Sequence, residues 1–170
     1  MKNKLKMRDI AVIGMLSAIL ITVQVALRIL PNIELVSLLI ILFTLVLGRK
    51  TLYIIYIFVM LEGFLYGFGL WWFNYLYVWT ILYFIVRMLR RHQSVFTWSL
   101  VSGLYGLFFG ALCSIPYFIT GGVATGMAYW VAGFPFDAIH GVSNISIALV
   151  LFKPLYYLLS KLYVQIEFTA

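Results

Sequence analysis

Charge is scarce in this chain of 170 residues. Asp, Glu, Lys and Arg make up 10% of it, where a soluble domain carries about 25%. Acids are the scarcer sign, 5 against 12 bases. A single cysteine, Cys113, cannot close an internal bridge, which excludes a disulfide-stapled secreted domain. With two histidines, that one cysteine and no H-E-x-x-H, no metal-ligand spacing is present. No G-x-x-x-x-G-K-[ST] occurs, so a nucleotide-hydrolysing engine must come from another chain. No serine has a G-x-S-x-G context, because Gly141-Val142-Ser143-Asn144-Ile145 lacks the closing glycine. No cofactor is expected, and low-complexity tracts and convincing internal repeats are missing too.

In place of charge there is apolar surface. Hydrophobic residues make up 65% of the chain and aromatics 18%, which excludes a soluble globular domain and a disordered chain. A helix needs roughly 20 residues to cross a bilayer. The apolar runs and their punctuation predict six spans, over 9–29, 33–47, 51–68, 75–89, 95–119 and 136–162. The second and fourth are short for a full crossing. The expected architecture is all-α, a six-transmembrane-helix bundle forming a single integral membrane domain over residues 1–170. The basic start resembles a signal peptide, but the apolar stretch after it is too long and lacks an A-x-A-like cleavage site, so it is read as the first span.

The net charge of +7 is distributed as membrane topology, which argues against a nucleic-acid partner. Lys2, Lys4, Lys6 and Arg8 precede the first span, Arg49 and Lys50 follow the second, Arg87, Arg90 and Arg91 end the fourth, and Lys161 ends the sixth. Lys153 lies toward the same side if the spans alternate, and Arg28 alone falls on the other. The positive-inside bias then predicts both termini in the cytoplasm of a multi-pass protein of the bacterial plasma membrane. The opposite connections, 30–34, 69–74 and 120–135, are rich in Trp, Tyr, Asn and Gly and poor in charge.

Ionisable groups at membrane depth are costly and point to function. Glu62 falls in the outer half of the third span, with Tyr66 one turn on. Asp137, His140 and Asn144 stand at i, i+3 and i+7 and share a helical face, with Ser143 beside them. They read either as a polar pocket open to the outside or as an inter-helix clamp wetted by headgroups. An ionised Glu62 needs a partner, for which His140 or a ligand is the candidate. Around Asn74 cluster Tyr66, Trp71, Trp72, Phe73, Tyr75, Tyr77 and Trp79, while Tyr129 and Trp130 form a second group. Such rings make an interfacial belt or the walls of a site for a flat heterocycle. Gly14, Ala18, Thr22 and Ala26 recur every four residues as a smooth stripe, which suits bundle packing or docking of another membrane subunit. Gly106, Gly110 and Ser114 form a similar stripe that reads as internal packing.

With these features in hand, the chain resembles the substrate-binding S component of energy-coupling factor (ECF) vitamin transporters. The resemblance covers nearly the whole chain. It is carried by the basic start and the Gly14–Ala26 stripe, by Leu30-Pro31-Asn32-Ile33-Glu34-Leu35-Val36, by Tyr66-Gly67-Phe68-Gly69-Leu70-Trp71-Trp72, and by Gly106-Leu107-Phe108-Phe109-Gly110-Ala111-Leu112. It implies two kinds of partner, a transmembrane coupling subunit and two cytosolic ATPases. It also implies docking through Gly14 and Ala18, where the family often has Ala-x-x-x-Ala, and a ligand site on the outer side. The implied mechanism is toppling of the loaded subunit in the membrane. The expected ligand is a small vitamin-like ring, neutral or cationic, because Glu62 and Asp137 face only Arg28 on that side. A stand-alone carrier or channel using Glu62, Asp137 and His140 as a proton relay is the principal alternative. A lipid-modifying enzyme lacks a nucleophile or metal constellation here, and a scaffold would bind nothing.

Overall fold

Apolar runs in lipid can satisfy their backbone groups internally only as helices or closed barrels. The computed structural model, which describes residues 5–92 and 94–168, is all-helical in its described residues. Lys2 and Lys4 lie outside them. In chain order the helices are α1 (Met7–Leu27), α2 (Val36–Leu47), α3 (Lys50–Tyr66), α4 (Leu70–Leu89), α5 (Val95–Leu107), α6 (Phe109–Cys113) and α7 (Ile115–Phe168). Met7–Leu27, Leu70–Leu89 and Ile115–Ile166 are long and apolar enough to cross a membrane, and Val36–Leu47 and Val95–Leu107 are shorter apolar helices.

Several expected boundaries move. The helix expected as the fourth span begins at Leu70 rather than at residue 75, so Trp71, Trp72 and Asn74 belong to a helix and not to a connection. The span expected over 95–119 is broken into α5, α6 and the start of α7. At this break the Gly110 N–H donates to Asp137 Oδ1 at 3.0 Å. The expected connection 120–135 is helical except at Gly122, whose φ of 75° turns the chain. Beyond this turn Tyr129 stacks on Tyr117 at 4.0 Å, so the arms of α7 fold back on each other. Glycine, threonine and Pro135 imitate loop punctuation here, but Gly122 alone within α7 leaves the helical conformation, and α7 accommodates Pro135 internally.

Two ends of the bundle differ in chemistry. At one, called the basic end, Arg8 donates to the Ile166 carbonyl at 3.0 Å, and Lys50 Nζ meets Asp9 Oδ1 at 2.8 Å and the Tyr163 hydroxyl at 2.6 Å. The starts of α1 and α3 and the close of α7 therefore meet there. At the far end lie the close of α1, the connection before α2, the close of α3 and the start of α4.

The core between them centres on α2, with Ile40, Ile41, Ile54, Ile55, Phe58, Val78 and Leu82 withdrawn from solvent. Apolar residues surround α2 on all sides, as suits a helix that packs against α1, α3, α4, α5 and α7. Glycines bring α5 and α6 close to α7. A side chain at Gly103 would strike Ile145, one at Gly106 would meet the His140 backbone and Asn144, and one at Gly110 would strike the Asp137 carboxylate. The Gly106–Gly110 stripe is thus internal packing. On α1, by contrast, Gly14, Ala18, Thr22 and Ala26 are exposed, while Ile13, Leu16, Ser17 and Leu20 face the core.

Candidate functional site

The close of α3 places Glu62 and Tyr66 one turn apart, and the start of α4 brings Trp71 and Tyr75 across from them. With Gln24 and Arg28 from the close of α1, these residues line a cavity of about 390 Å³ at the far end. Glu62 is 2% exposed, and its Oε1 has no hydrogen-bond partner among the described residues. A second cavity of about 300 Å³ shares Gln24, Arg28 and Tyr75 and is completed by the 30–34 connection, Trp79, Phe109 and His140. The two are neighbours across this shared wall, and a run of ring contacts lies along it: Trp71 to Tyr75 at 5.3 Å, Tyr75 to Trp79 at 5.6 Å, Trp79 to Phe109 at 5.6 Å and Phe109 to His140 at 5.2 Å. Trp79 is 2% exposed, and its Nε1–H also has no partner among the described residues.

The connection between α1 and α2 is fastened to α7. His140 Nε2 lies 3.2 Å from Glu34 Oε1, and Ser143 Oγ donates to the Asn32 carbonyl at 2.7 Å. Asn32 takes the left-handed conformation, φ 59°, which its short polar side chain tolerates. The other Glu34 oxygen accepts the Ser37 N–H at 2.8 Å, in the first turn of α2, where an anion is favoured. Burial works against the Glu34 carboxylate, but the contacts from His140 and Ser37 outweigh it and hold its pKa below the ordinary glutamate value.

This geometry removes one of the two expected partners of Glu62. His140 pairs with Glu34, a residue 106 positions away, and leaves Glu62 without it. Of the expected site residues, Glu62, Tyr66, Trp71, Trp79 and His140 line the two cavities, and six others do not. Trp72 donates to the Val59 carbonyl at 2.9 Å and ties α4 to α3. Asn74 Oδ1 lies 2.9 Å from the Tyr77 hydroxyl, which also reaches the Leu112 carbonyl at 2.7 Å. Asp137 holds the Gly110 N–H, and Asn144 is turned toward the Ser102 carbonyl at 3.4 Å. Tyr129 stacks on Tyr117, and Trp130 lines a separate apolar hollow with Phe134 and Pro135.

Sequence reasoning passed over Gln24 and Phe109 as site residues and gave Glu34, Tyr75 and Arg28 no individual role. Gln24 carried a readable signal, an amide inside an otherwise apolar span. Glu34 carried a weaker one, since the connection that holds it reads as interfacial. Among the described residues no group of His, Cys, Asp and Glu is arranged to hold a metal. No protein family matches the chain, and neither a curated protein nor a solved structure does.

Proposed function

We propose that the chain is the substrate-capture subunit of an ATP-driven importer of the ECF type, set in a bacterial plasma membrane as six spans with both termini in the cytoplasm. The observation that carries this reading is the pair of adjacent cavities at the charge-poor end, walled by aromatic rings and lined by a buried carboxyl that has no partner among the described residues. Pockets that take small molecules are largely apolar with a few polar groups that orient the ligand. The bond from Arg8 to Ile166 supports the topology, because it brings both ends of the described chain to the basic end.

In this reading Glu62, Gln24 and His140 orient a vitamin-like ring while Tyr66, Trp71, Tyr75 and Trp79 hold its faces. The exposed stripe Gly14, Ala18 and Thr22 supports docking on a transmembrane coupling subunit, which connects the chain to two cytosolic ATPases. The Cβ of a larger residue at Gly14 would meet nothing within 4 Å among the described residues, so a neighbouring helix can approach there closely. The loaded subunit then topples and releases its ligand inward.

The test is mass spectrometry of ligand that co-purifies with the chain, followed by uptake of that ligand in vesicles with and without the coupling subunit and ATPases. Uptake that needs those partners and ATP is the expected result. Uptake by the chain alone in liposomes would replace this reading with a secondary carrier, and Glu62 would then be its proton site.

A further inference from the structure

The acids of the described chain differ in what satisfies them. Glu34 has His140 and the Ser37 N–H, and Asp9 has Lys50 and the Lys6 N–H. Asp137 holds the Gly110 N–H and lines neither cavity of the candidate site. Glu62 alone combines an unpaired buried oxygen with a place on a cavity wall. Arg28 lines the same cavity without pairing with it. An ionised carboxylate at this burial requires a cation, and aromatic faces from Tyr66, Trp71 and Tyr75 favour a cation further. Trp79, which lines the adjoining cavity, has the opposite need, an N–H without an acceptor among the described residues. Tyr75 borders both cavities, so a flat molecule lying along it would approach both residues.

We infer that the adjacent cavities select a flat organic nitrogen cation, whose N–H groups pair with Glu62 and whose other end carries an acceptor for Trp79 Nε1–H. This rests on the ligand-capture reading and narrows it from any small ring to one charge type and one polarity. The rival chemistry is a protonated Glu62 that donates to a neutral ligand.

Two probes of one shape separate these. Benzamidinium is a planar cation with N–H donors, and benzamide is its neutral counterpart. Both are titrated against the full chain in detergent near neutral pH, with tryptophan fluorescence and calorimetry as readouts. Benzamidinium is expected to bind at least about tenfold more tightly, the range for a charge-assisted hydrogen bond. In Glu62→Gln the two probes should bind alike. Equal affinity in the natural chain, a preference that survives Glu62→Gln, or no binding of either probe up to its solubility limit would each overturn the inference. The first comparison needs no variant, so a Glu62→Gln protein that failed to fold would still leave a decisive result. Pyridine-3- and pyridine-4-carboxamidinium add a ring acceptor to the same cation. At least one should bind more tightly than benzamidinium to the natural chain and lose that advantage in Trp79→Phe. An advantage that persists, or none at the start, removes the Trp79 contact. None of these outcomes touches the ligand-capture reading, which fails only if no co-purifying ligand is taken up with the help of partner subunits.

Discussion

At the basic end the buried acid Asp9 accepts from the Lys6 N–H at 3.0 Å and from Lys50 Nζ at 2.8 Å, and Lys50 in turn meets the Tyr163 hydroxyl. At the far end the buried acid Glu62 faces a cavity with an oxygen unpaired. The two acids sit on neighbouring helices, α1 and α3, and the same physics applies to both, since an unsatisfied buried polar group costs about 1–3 kcal/mol and more when charged. One end is therefore closed by its own side chains, and it fastens α1, α3 and α7 together. The other keeps an unmet demand that a ligand can meet. Polar residues at membrane depth can serve either purpose, and their partners, not their burial, tell the two apart.

The largest effect expected from this contrast concerns assembly. If the proposed coupling subunit is the partner, Gly14→Leu or Ala18→Leu should abolish complex formation with it and energised uptake, because a bulky side chain holds a partner helix away from the stripe. Benzamidinium binding by the isolated chain should be unchanged, since the stripe faces away from both cavities. Pull-down and titration of the same preparations check this. Complexes that survive both changes would return the stripe to ordinary lipid-facing surface.

Next comes a pair of substitutions with unequal consequences for stability. Lys50→Met removes the nearer of two cations from Asp9, leaving Arg8 Nε at 4.0 Å, and takes the partner from Tyr163, and should cost about 1.5–3 kcal/mol. Glu62→Gln removes a buried acid that has nothing to lose, and should leave stability unchanged within about 0.5 kcal/mol or raise it. Thermal unfolding in one detergent measures both. If Glu62→Gln proved the more damaging of the two, Glu62 would be a structural group and the comparison of the two ends would collapse.

A smaller effect should appear with pH at the Glu34 tether. The Glu34 pKa is held below its ordinary value in the folded chain. Its contribution is therefore fully present above the ordinary carboxylate pKa of about 4.3 and is lost as pH falls through the lower folded value. The stability gap between the natural chain and Glu34→Gln should therefore close as pH falls below about 4. A gap that stayed fully open at about pH 3 would mean that the carboxylate is not the stabilising form.

These contrasts were only partly legible in the sequence. Apolar runs marked where helices exist, because burial and lipid both demand them, and basic turns marked one end of the bundle. The 120–135 stretch was misread as a connection because its Gly, Thr and Pro residues suggest turns in water, while only Gly122 takes a conformation that favours glycine. Glu62 stood out because a lone acid in an apolar run is costly wherever it sits. Its lack of a partner did not, since that depends on His140 reaching Glu34 across 106 positions. Asp137 and Asn144 share a face with His140, as their spacing predicts, but the glycines of α5 and α6 press that face so closely that only His140 reaches the cavity. Helical periodicity assigns a face and does not say whether a neighbouring helix or a ligand will cover it.

The smallest expected effects sharpen the contrast within one helix. His140 and Lys153 both lie on α7, His140 6% exposed at the far end and Lys153 exposed toward the basic end. His140→Ala removes the tether to Glu34 and part of the second cavity wall, so benzamidinium binding should weaken several-fold as the 30–34 connection loosens. Lys153→Ala removes an exposed charge, for which changes stay within about 0.5 kcal/mol, and should leave both binding and stability as they were. The same titrations decide between them. A chain in which Lys153→Ala weakens the probe more than His140→Ala does would have its site at the basic end, among groups that already satisfy one another, and the assignment of capture to the charge-poor end would fail.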